Sequence, residues 1–408
     1  MHRTALALPL IVLAETLGTS LWFCGTAAVP EVTRLWQLDA AGQASLLTVV
    51  QWGFIAGTLF LSLTGLADAY PASRVFTMAC IVGATANLGF AWASEALTQA
   101  LLWRFVTGLS LAGIYPLGMK LVVTWMPGRS GVALGWLVGS VSLGTSLPFL
   151  LRALGGNAHW QVLTSTASVL TLAAAVMISW LGDGPAARPN GQRFHFTLAW
   201  QALHDVRFRA SAMGYFGHMW ELYAFWSMVP WLVKLLSSDV GTQAWWAFAI
   251  IAMGAFGNVV GGQLSRHWGS ARVAVTMLVA SGLCCLLCPL LPELPVWLVA
   301  MIMLFWGFTA PADSPQFSAL SAGACPPQAV GSALSLQNAV GFTVTVISIH
   351  LSAAWQPALQ FHLGWVWLIG PVLGVLAMRR LLTLPTSRQA APHTASNAPS
   401  RSATPPGN

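Results

Sequence analysis

The chain has 408 residues, of which 56% are hydrophobic and 7% charged, with a formal charge of +7 and a mean hydropathy of +0.69. A soluble domain carries roughly 25% charged residues, so a soluble enzyme, or one held by a single anchor, is excluded. The positive excess does not point to nucleic acid, because no basic patch with interleaved aromatics accompanies it.

The first element follows Met1, His2 and Arg3, a start that looks like a signal peptide. Its apolar stretch runs from Ala5 to about Ala28, however, and Glu15 interrupts it. At 1.5 Å per residue that length crosses the ~30 Å hydrocarbon layer, so it reads as a retained helix. Further helical spans are predicted over 44–66, 75–93, 97–122, 131–153 and 161–181. A long connection, 182–210, carries Gly184, Pro185, Pro189, Asn190 and Gly191. Within it Phe196, Trp200, Leu203 and Val206 recur at helical spacing beside Gln201, His204, Asp205 and Arg207, predicting an amphipathic helix on the membrane surface. Six more spans are predicted over 211–233, 244–264, 273–291, 295–313, 331–353 and 361–382. The tail from Leu384, rich in Pro, Ala, Ser and Thr, is expected to be disordered.

The expected fold is therefore an all-α integral membrane protein of twelve transmembrane helices in two six-helix bundles. The domains are residues 1–181, a linker 182–210, residues 211–383 and a tail 384–408. Orientation follows from Lys and Arg. Arg3, Arg74, Arg266, Arg272, Arg379, Arg380 and the arginines of the linker and tail fall on one side, against Arg34, Arg152 and Lys234 on the other. Both termini are expected in the cytoplasm. Cys285 and Cys288 form a C-x-x-C inside the ninth span without a His or acidic neighbour, so helix packing is the expected role.

The halves repeat one another. Residues 104–116 read RFVTGLSLAGIYP and residues 303–315 read MLFWGFTAPADSP, pairing Gly108 with Gly307 and Pro116 with Pro315. Gly131 and Leu134 likewise match Gly331 and Leu334. The shared order and near-constant offset imply a duplicated six-helix unit. Gly53 and Gly57 on the second span, and Gly131, Gly135 and Gly139 on the fifth, have the small-xxx-small spacing that lets helices approach closely.

With these features the chain resembles the major facilitator superfamily over about residues 5–382. The loop GLADAYPASRV (65–75) looks like a degenerate copy of its gate motif. Asp68 and Arg74 are kept, while Pro71 and Ala69 replace the usual glycine and arginine. The second copy, GGQLSRHWGSAR (261–272), keeps Arg272 and has Arg266 in place of the acid. Arg104 and Gly108 resemble the helix-four motif associated with proton coupling. GHMWELYAFW (217–226) and GIYPLGMK (113–120) look like a bacterial subgroup, which implies the cytoplasmic (inner) membrane. The resemblance implies that helices 1, 4, 7 and 10 line a central cavity. Each has an ionisable residue: Glu15, Arg104, Glu221 and Asp313.

An acid or base in hydrocarbon costs about 2.5–3.5 kcal/mol on insertion scales and is a functional candidate by default. Glu15 is expected either on the transport path or paired with Arg104. His218, three positions before Glu221, shares its face and forms a candidate relay with it. Asp313 is either a cavity residue or a helix-end acceptor. Tyr115, next to Pro116, is a candidate pathway residue at a kink. Lys120, some 24 Å beyond Arg104 along the axis, is placed with the gating loops.

The expected function is a proton-coupled transporter of a small organic solute by alternating access. Its partners are the solute, protons and the lipid bilayer; it acts as a monomer, without nucleic acid, metal or cofactor. The alternative is an exporter of cationic or amphipathic compounds, a drug/proton antiporter, although the Gly-Pro of that signature is missing at Gly139 and Ser140. A nitrate porter would want arginines inside the second and eighth spans, which lack them. A membrane-embedded enzyme would want clustered His and acid groups, whereas the nine histidines are scattered.

Overall fold

The structure, a computed structural model, describes residues 2–126, 130–156, 158–187, 200–326 and 329–383, without the side chains of 2–4, 68, 130–132 and 383. The described residues include twelve long helices. The first half comprises α1 (His2–Thr19, resumed at Cys24–Trp36), α2 (Ala40–Thr64), α3 (Ala72–Trp92), α4 (Leu97–Leu111, resumed at Tyr115–Trp125), α5 (Ser130–Gly155) and α6 (Trp160–Leu181). The second comprises α7 (Val206–Leu232), α8 (Val240–Trp268), α9 (Ser270–Leu287), α10 (Val296–Ala312, resumed at Ser314–Gly323), α11 (Val330–Leu359) and α12 (Leu363–Thr383). Ten stretches of the described residues are long and apolar enough to cross a membrane, the last of them covering both α11 and α12. The remaining helix, α7, is 27 residues long but carries Arg207, Arg209 and Glu221.

The duplication governs the packing. In the first half α2 packs on α4, α3 on α6, and α1 on α5 and α6. In the second, α8 packs on α10, α9 on α12, and α7 on α11 and α12. The two bundles meet where α2 lies against α11 and α5 against α8. Glycines set the closest crossings. A Cβ on Gly53 would strike the Phe105 carbonyl and one on Gly108 that of Val50; Gly257 and Gly307 stand in the same relation to Phe308 and Ile250. Helices α2 and α8 also begin and end alike. The Asp39 carboxylate accepts from Gly42 N at 2.8 Å and that of Asp239 from Thr242 N at 2.7 Å. Gly65 (φ 68°) and Gly269 (φ 81°) stop them in the left-handed conformation that favours glycine.

Two sequence expectations change. Helix α7 begins at Val206 rather than 211, because the Asp205 carboxylate caps it by accepting from Arg207 N and Phe208 N. Val206 and Arg207 therefore belong to α7 and not to a surface helix. Residues 188–199 with Phe196, and the tail from 384, lie outside the described residues. Secondly, three helices are broken: α1 at 20–23, α4 at 112–114, where the kink was expected, and α10 at Asp313.

Arg74, Arg207, Arg209, Arg266, Arg272, Arg379 and Arg380, at the starts of α3, α7 and α9 and the ends of α8 and α12, give the molecule a basic end.

Candidate functional site

Between the bundles lies a cavity of about 380 Å³, within the usual range of small-molecule sites. Its wall draws on both halves: Thr58 and Ser62 (α2), Tyr115 (α4), Ser142 (α5), Tyr215 and His218 (α7), Asn258 (α8), Ser314 and Ser318 (α10), and Ser335 and Asn338 (α11). Toward the basic end the lining residues Ser318 and Gly331 are exposed. At the other end it stops on a layer of rings, Trp22, Tyr223, Trp226 and Phe342. That layer crosses the bundle interface. Phe54 of α2 stands 4.4 Å from Phe342 of α11, Trp22 stands 5.8 Å from Tyr223, and Phe23 meets Trp226 edge-on at 6.1 Å (centroid distances). Aromatic pairs at these separations attract beyond their area burial. The layer closes the cavity at the end away from the basic one.

The break in α1 builds that layer. Unwinding at 20–23 frees main-chain carbonyls and turns Trp22 and Phe23 toward the second bundle. Arg104, buried on α4, takes up the freed groups: Nη1 donates to Leu21 O at 3.0 Å and Nη2 to Trp22 O at 2.7 Å. Nη1 also donates to Asn87 Oδ1 at 3.0 Å, and Asn87 Nδ2 donates in turn to Thr164 O and Ser168 Oγ of α6. A cation at a helix break satisfies both the carbonyls and the negative end of the helix dipole. Arg104 is thus the positioning residue of the aromatic layer.

Arg104 does not pair with Glu15. The Glu15 carboxylate is fully buried against Gly118 on the second segment of α4, and neither oxygen has a hydrogen-bond partner among the described residues. The reason is vertical: Arg104 lies in the first segment of α4, on the far side of the 112–114 break. Glu221 differs. Its carboxylate accepts from Trp306 Nε1 at 2.7 Å, Ser281 Oγ at 2.8 Å and Cys285 Sγ at 3.4 Å. It therefore ties α7 to α9 and α10. The expected His218–Glu221 relay is replaced by another pair. His218 Nδ1 stands 2.6 Å from Asp313 Oδ1, and both groups are buried. Residues three apart on a helix differ by about 60° in direction, enough for α7 to aim His218 at α10 and Glu221 at α9. Asp313 occupies the break in α10, where its carbonyl accepts from Gln316 N and Phe317 N.

Of the sequence-derived pathway residues, Tyr115 and His218 face the cavity; Glu15, Arg104, Glu221 and Asp313 stand behind its wall. At the basic end Lys120 Nζ donates to Ala67 O at 2.6 Å, fixing the turn between α2 and α3. Arg74, Arg266 and Arg272 are exposed there, and the Asp68 side chain lies outside the described residues. Ser62 Oγ and Ser335 Oγ bond across the bundle interface at 2.9 Å. Sequence reasoning missed Asn258, Asn338 and the aromatic layer. The signals were an amide inside an otherwise apolar span and the Tyr223–Trp226 pair on the span of Glu221.

The sequence profile of the Major Facilitator Superfamily matches residues 4–349 and 211–405. The chain belongs to that superfamily, a family of transporters. It is similar in fold to the proton:xylose symporter XylE, solved with 6-bromo-6-deoxy-D-glucose bound, at 13% identity and a TM-score of 0.72, covering 93% of this chain and 96% of that one. No curated protein sequence matches it. The protein is accordingly a multi-pass membrane protein with the twelve-helix superfamily fold.

Proposed function

We propose that this superfamily member is a proton-coupled secondary transporter of a small organic solute, working by alternating access in the cytoplasmic (inner) membrane of a bacterium. The observation that carries the reading is His218. It is the one His, Asp, Glu, Lys or Arg on the described cavity wall, and Asp313 stands directly behind it. Imidazole is the side chain that changes charge near neutral pH. A protonated His218 is held by the Asp313 carboxylate. When the bundles rock, the water reaching His218 changes sides, and the proton can be taken up on one side and released on the other. Glu15, buried without a partner, is the second candidate proton carrier. Glu221, fully engaged by its three donors, serves as a brace of the second bundle.

The arginine bias supports placing the basic end in the cytoplasm, so the cavity faces inward with the aromatic layer as the outer closure. The gate at the basic end is assigned to Asp68, Arg74, Arg266, Arg272 and Lys120, together with Ser62 and Ser335. XylE is itself a proton symporter, so the fold accommodates such coupling. The alternative, export of cationic compounds, is favoured by the rings of the aromatic layer and disfavoured by a wall with no acid among its described residues.

The test is proton movement in liposomes. Protein reconstituted with an entrapped pH dye is given each solute that a thermal-shift screen finds to bind. Wild type should couple solute entry to proton entry, and His218→Gln and Asp313→Asn should exchange solute without net proton movement. Solute accumulation that ignores a pH gradient in wild type sinks the coupling.

A further inference from the structure

The cavity that serves as the solute path in the reading above has a wall of unusual chemistry. No Asp, Glu, Lys or Arg is among its described residues. Behind it, Arg104 is committed to the α1 break, Asp313 to His218, and Glu15 is turned against Gly118 of α4. Yet, besides His218 Nδ1, which faces Asp313, five buried polar atoms of its lining residues have no hydrogen-bond partner among the described residues. They are Trp22 Nε1, Trp226 Nε1, Thr58 Oγ1, Asn258 Oδ1 and His218 Nε2. Buried polar groups are ordinarily paired, so each unmet one asks for an explanation. All five belong to side chains that line a single cavity and are shut from water there, so they share one explanation: they are met when the solute parts those side chains.

We infer that the protein takes an uncharged ring compound bearing hydroxyl or carbonyl oxygens, seated on the aromatic layer between Trp22, Thr58, Trp226 and Asn258. The two indole N–H groups can only donate, so they select for acceptor oxygens on the solute. Asn258 Oδ1 can only accept and selects for a hydroxyl or amide hydrogen; the Thr58 hydroxyl serves either role. Trp22 and Trp226 flank Tyr223, at 5.8 and 5.5 Å, and together these rings offer an apolar floor to the face of a ring. A carboxylate would meet no cation here except an imidazolium at His218 that Asp313 already balances, and would enter at a large desolvation cost. An ammonium would bring donors to a floor whose own unmet groups are mainly donors. Cyclic sugars and hydroxylated or amide-bearing aromatics share the required chemistry.

Thermal-shift titration of the full-length protein in detergent, at fixed neutral pH, tests this without any gradient. One arm of the panel holds uncharged cyclic sugars and glycosides. A second holds uncharged hydroxylated and carboxamide aromatics. A third holds carboxylate and amine counterparts matched to both. Stabilising compounds should come from the first two arms, and which arm supplies them identifies the source. Each should bind at least about ten-fold more tightly than its charged counterpart, the scale of one unmet buried group. Trp22→Phe and Trp226→Phe should each weaken the hit by about ten-fold. Thr58→Val, which keeps size and packing, gives the same reading should either tryptophan variant fold poorly. Binding by charged counterparts with equal affinity, no stabilisation by any uncharged member, or a hit indifferent to these substitutions overturns the inference. An uncharged solute that binds but moves no proton in liposomes leaves the inference standing and removes the proton-coupled reading.

Discussion

Arg104 on α4 and Met303 on α10 hold matching places in the two halves, four residues before Gly108 and Gly307 respectively. In the first half the guanidinium collects the carbonyls of Leu21 and Trp22, and α1 is broken there. In the second half a thioether has nothing to donate, and α7 runs unbroken from Val206 to Leu232. The acids diverge in the opposite sense. Glu15 has no hydrogen-bond partner among the described residues, whereas Glu221 has three donors. One duplicated scaffold, with the same glycine crossings, thus encloses two different polar cores. The first uses its charge to open a helix and present Trp22 and Phe23 to the other bundle. The second uses its charge to hold α7, α9 and α10 together. The difference teaches that the break in α1 goes with a donor placed to receive its carbonyls, and that α7, with no such donor opposite, stays whole.

Exchanging the two positions is the severest way to break this comparison. Met303→Arg puts a guanidinium at a fully buried site facing an intact helix. An uncompensated buried charge costs about 3–5 kcal/mol, so folded, monodisperse protein should be largely lost. Arg104→Met strands three acceptors, Leu21 O, Trp22 O and Asn87 Oδ1, at about 1–3 kcal/mol for each, and should release the aromatic layer. Arg104→Lys should recover part of the stability, because a point charge reaches one carbonyl but loses the fork. Both are read by melting temperature and by cysteine accessibility at position 23. A Met303→Arg protein that folds like wild type would mean that α7 breaks as readily as α1.

The acids give the next effect. Glu221→Leu leaves the Trp306 N–H unmet and should cost about 1–3 kcal/mol, while the Ser281 hydroxyl falls back on Leu278 O at 3.3 Å. Glu221→Gln keeps an acceptor for Trp306 and should be milder. Glu15→Leu removes no bond and relieves a buried unpaired carboxyl, so its melting temperature should equal or exceed that of wild type. The reverse ranking in a detergent melt would undo the assignment of Glu221 as brace and Glu15 as free acid.

The aromatic layer sharpens the comparison more gently, since each half contributes one ring to its tightest pair. Phe54→Ala and Phe342→Ala should open the closed end to a similar extent, by about 0.5–1.5 kcal/mol. The double substitution should cost less than the sum of the two, because both remove the Phe54–Phe342 contact, although each ring also meets Trp22. A maleimide reporter beside Phe149, on the closed side, should react several-fold faster in each. Strictly additive effects would place the two rings in separate contacts.

Much of this architecture was legible in the chain. Hydropathy counts spans because every residue of a lipid-crossing helix contributes to it. The offset between Gly108 and Gly307 exposed the duplication because glycine alone tolerates those crossings. Depth could be read too: Glu15 and Glu221 do lie well inside their helices. Rotation could not. Whether His218 meets Glu221 or Asp313 depends on which neighbour α7 turns toward, and hydropathy along an almost wholly apolar helix barely records that. Breaks were equally hidden at Leu21 and Trp22, where neither Gly nor Pro marks them. The start of α7 was misplaced because Arg207 and Arg209 depress hydropathy, although Asp205 stood there as a capping residue. The Asp39 and Asp239 caps, at nearly the same offset as Gly108 and Gly307, were a further sign of duplication that span counting passed over.

Those caps supply the smallest test. Asp239 is exposed, and its carboxyl is held below its ordinary value near 3.8, chiefly by the backbone N–H of Thr242. A carboxylate depressed in the folded protein contributes stability that is present above its unfolded value and lost as pH falls through the folded one. Acid should therefore erode the start of α8 only below about pH 4. Asp239→Ala should lower the melting temperature slightly at pH 7 and flatten its decline between about pH 4 and pH 3. Asp39→Ala, removing the matching cap of α2, should cost a similar amount at pH 7, because both carboxylates accept a backbone N–H three residues on. A marked inequality would mean that the halves differ in how firmly α2 and α8 are anchored at that end. The duplicated scaffold would then be unequal there, as well as in the charges it encloses.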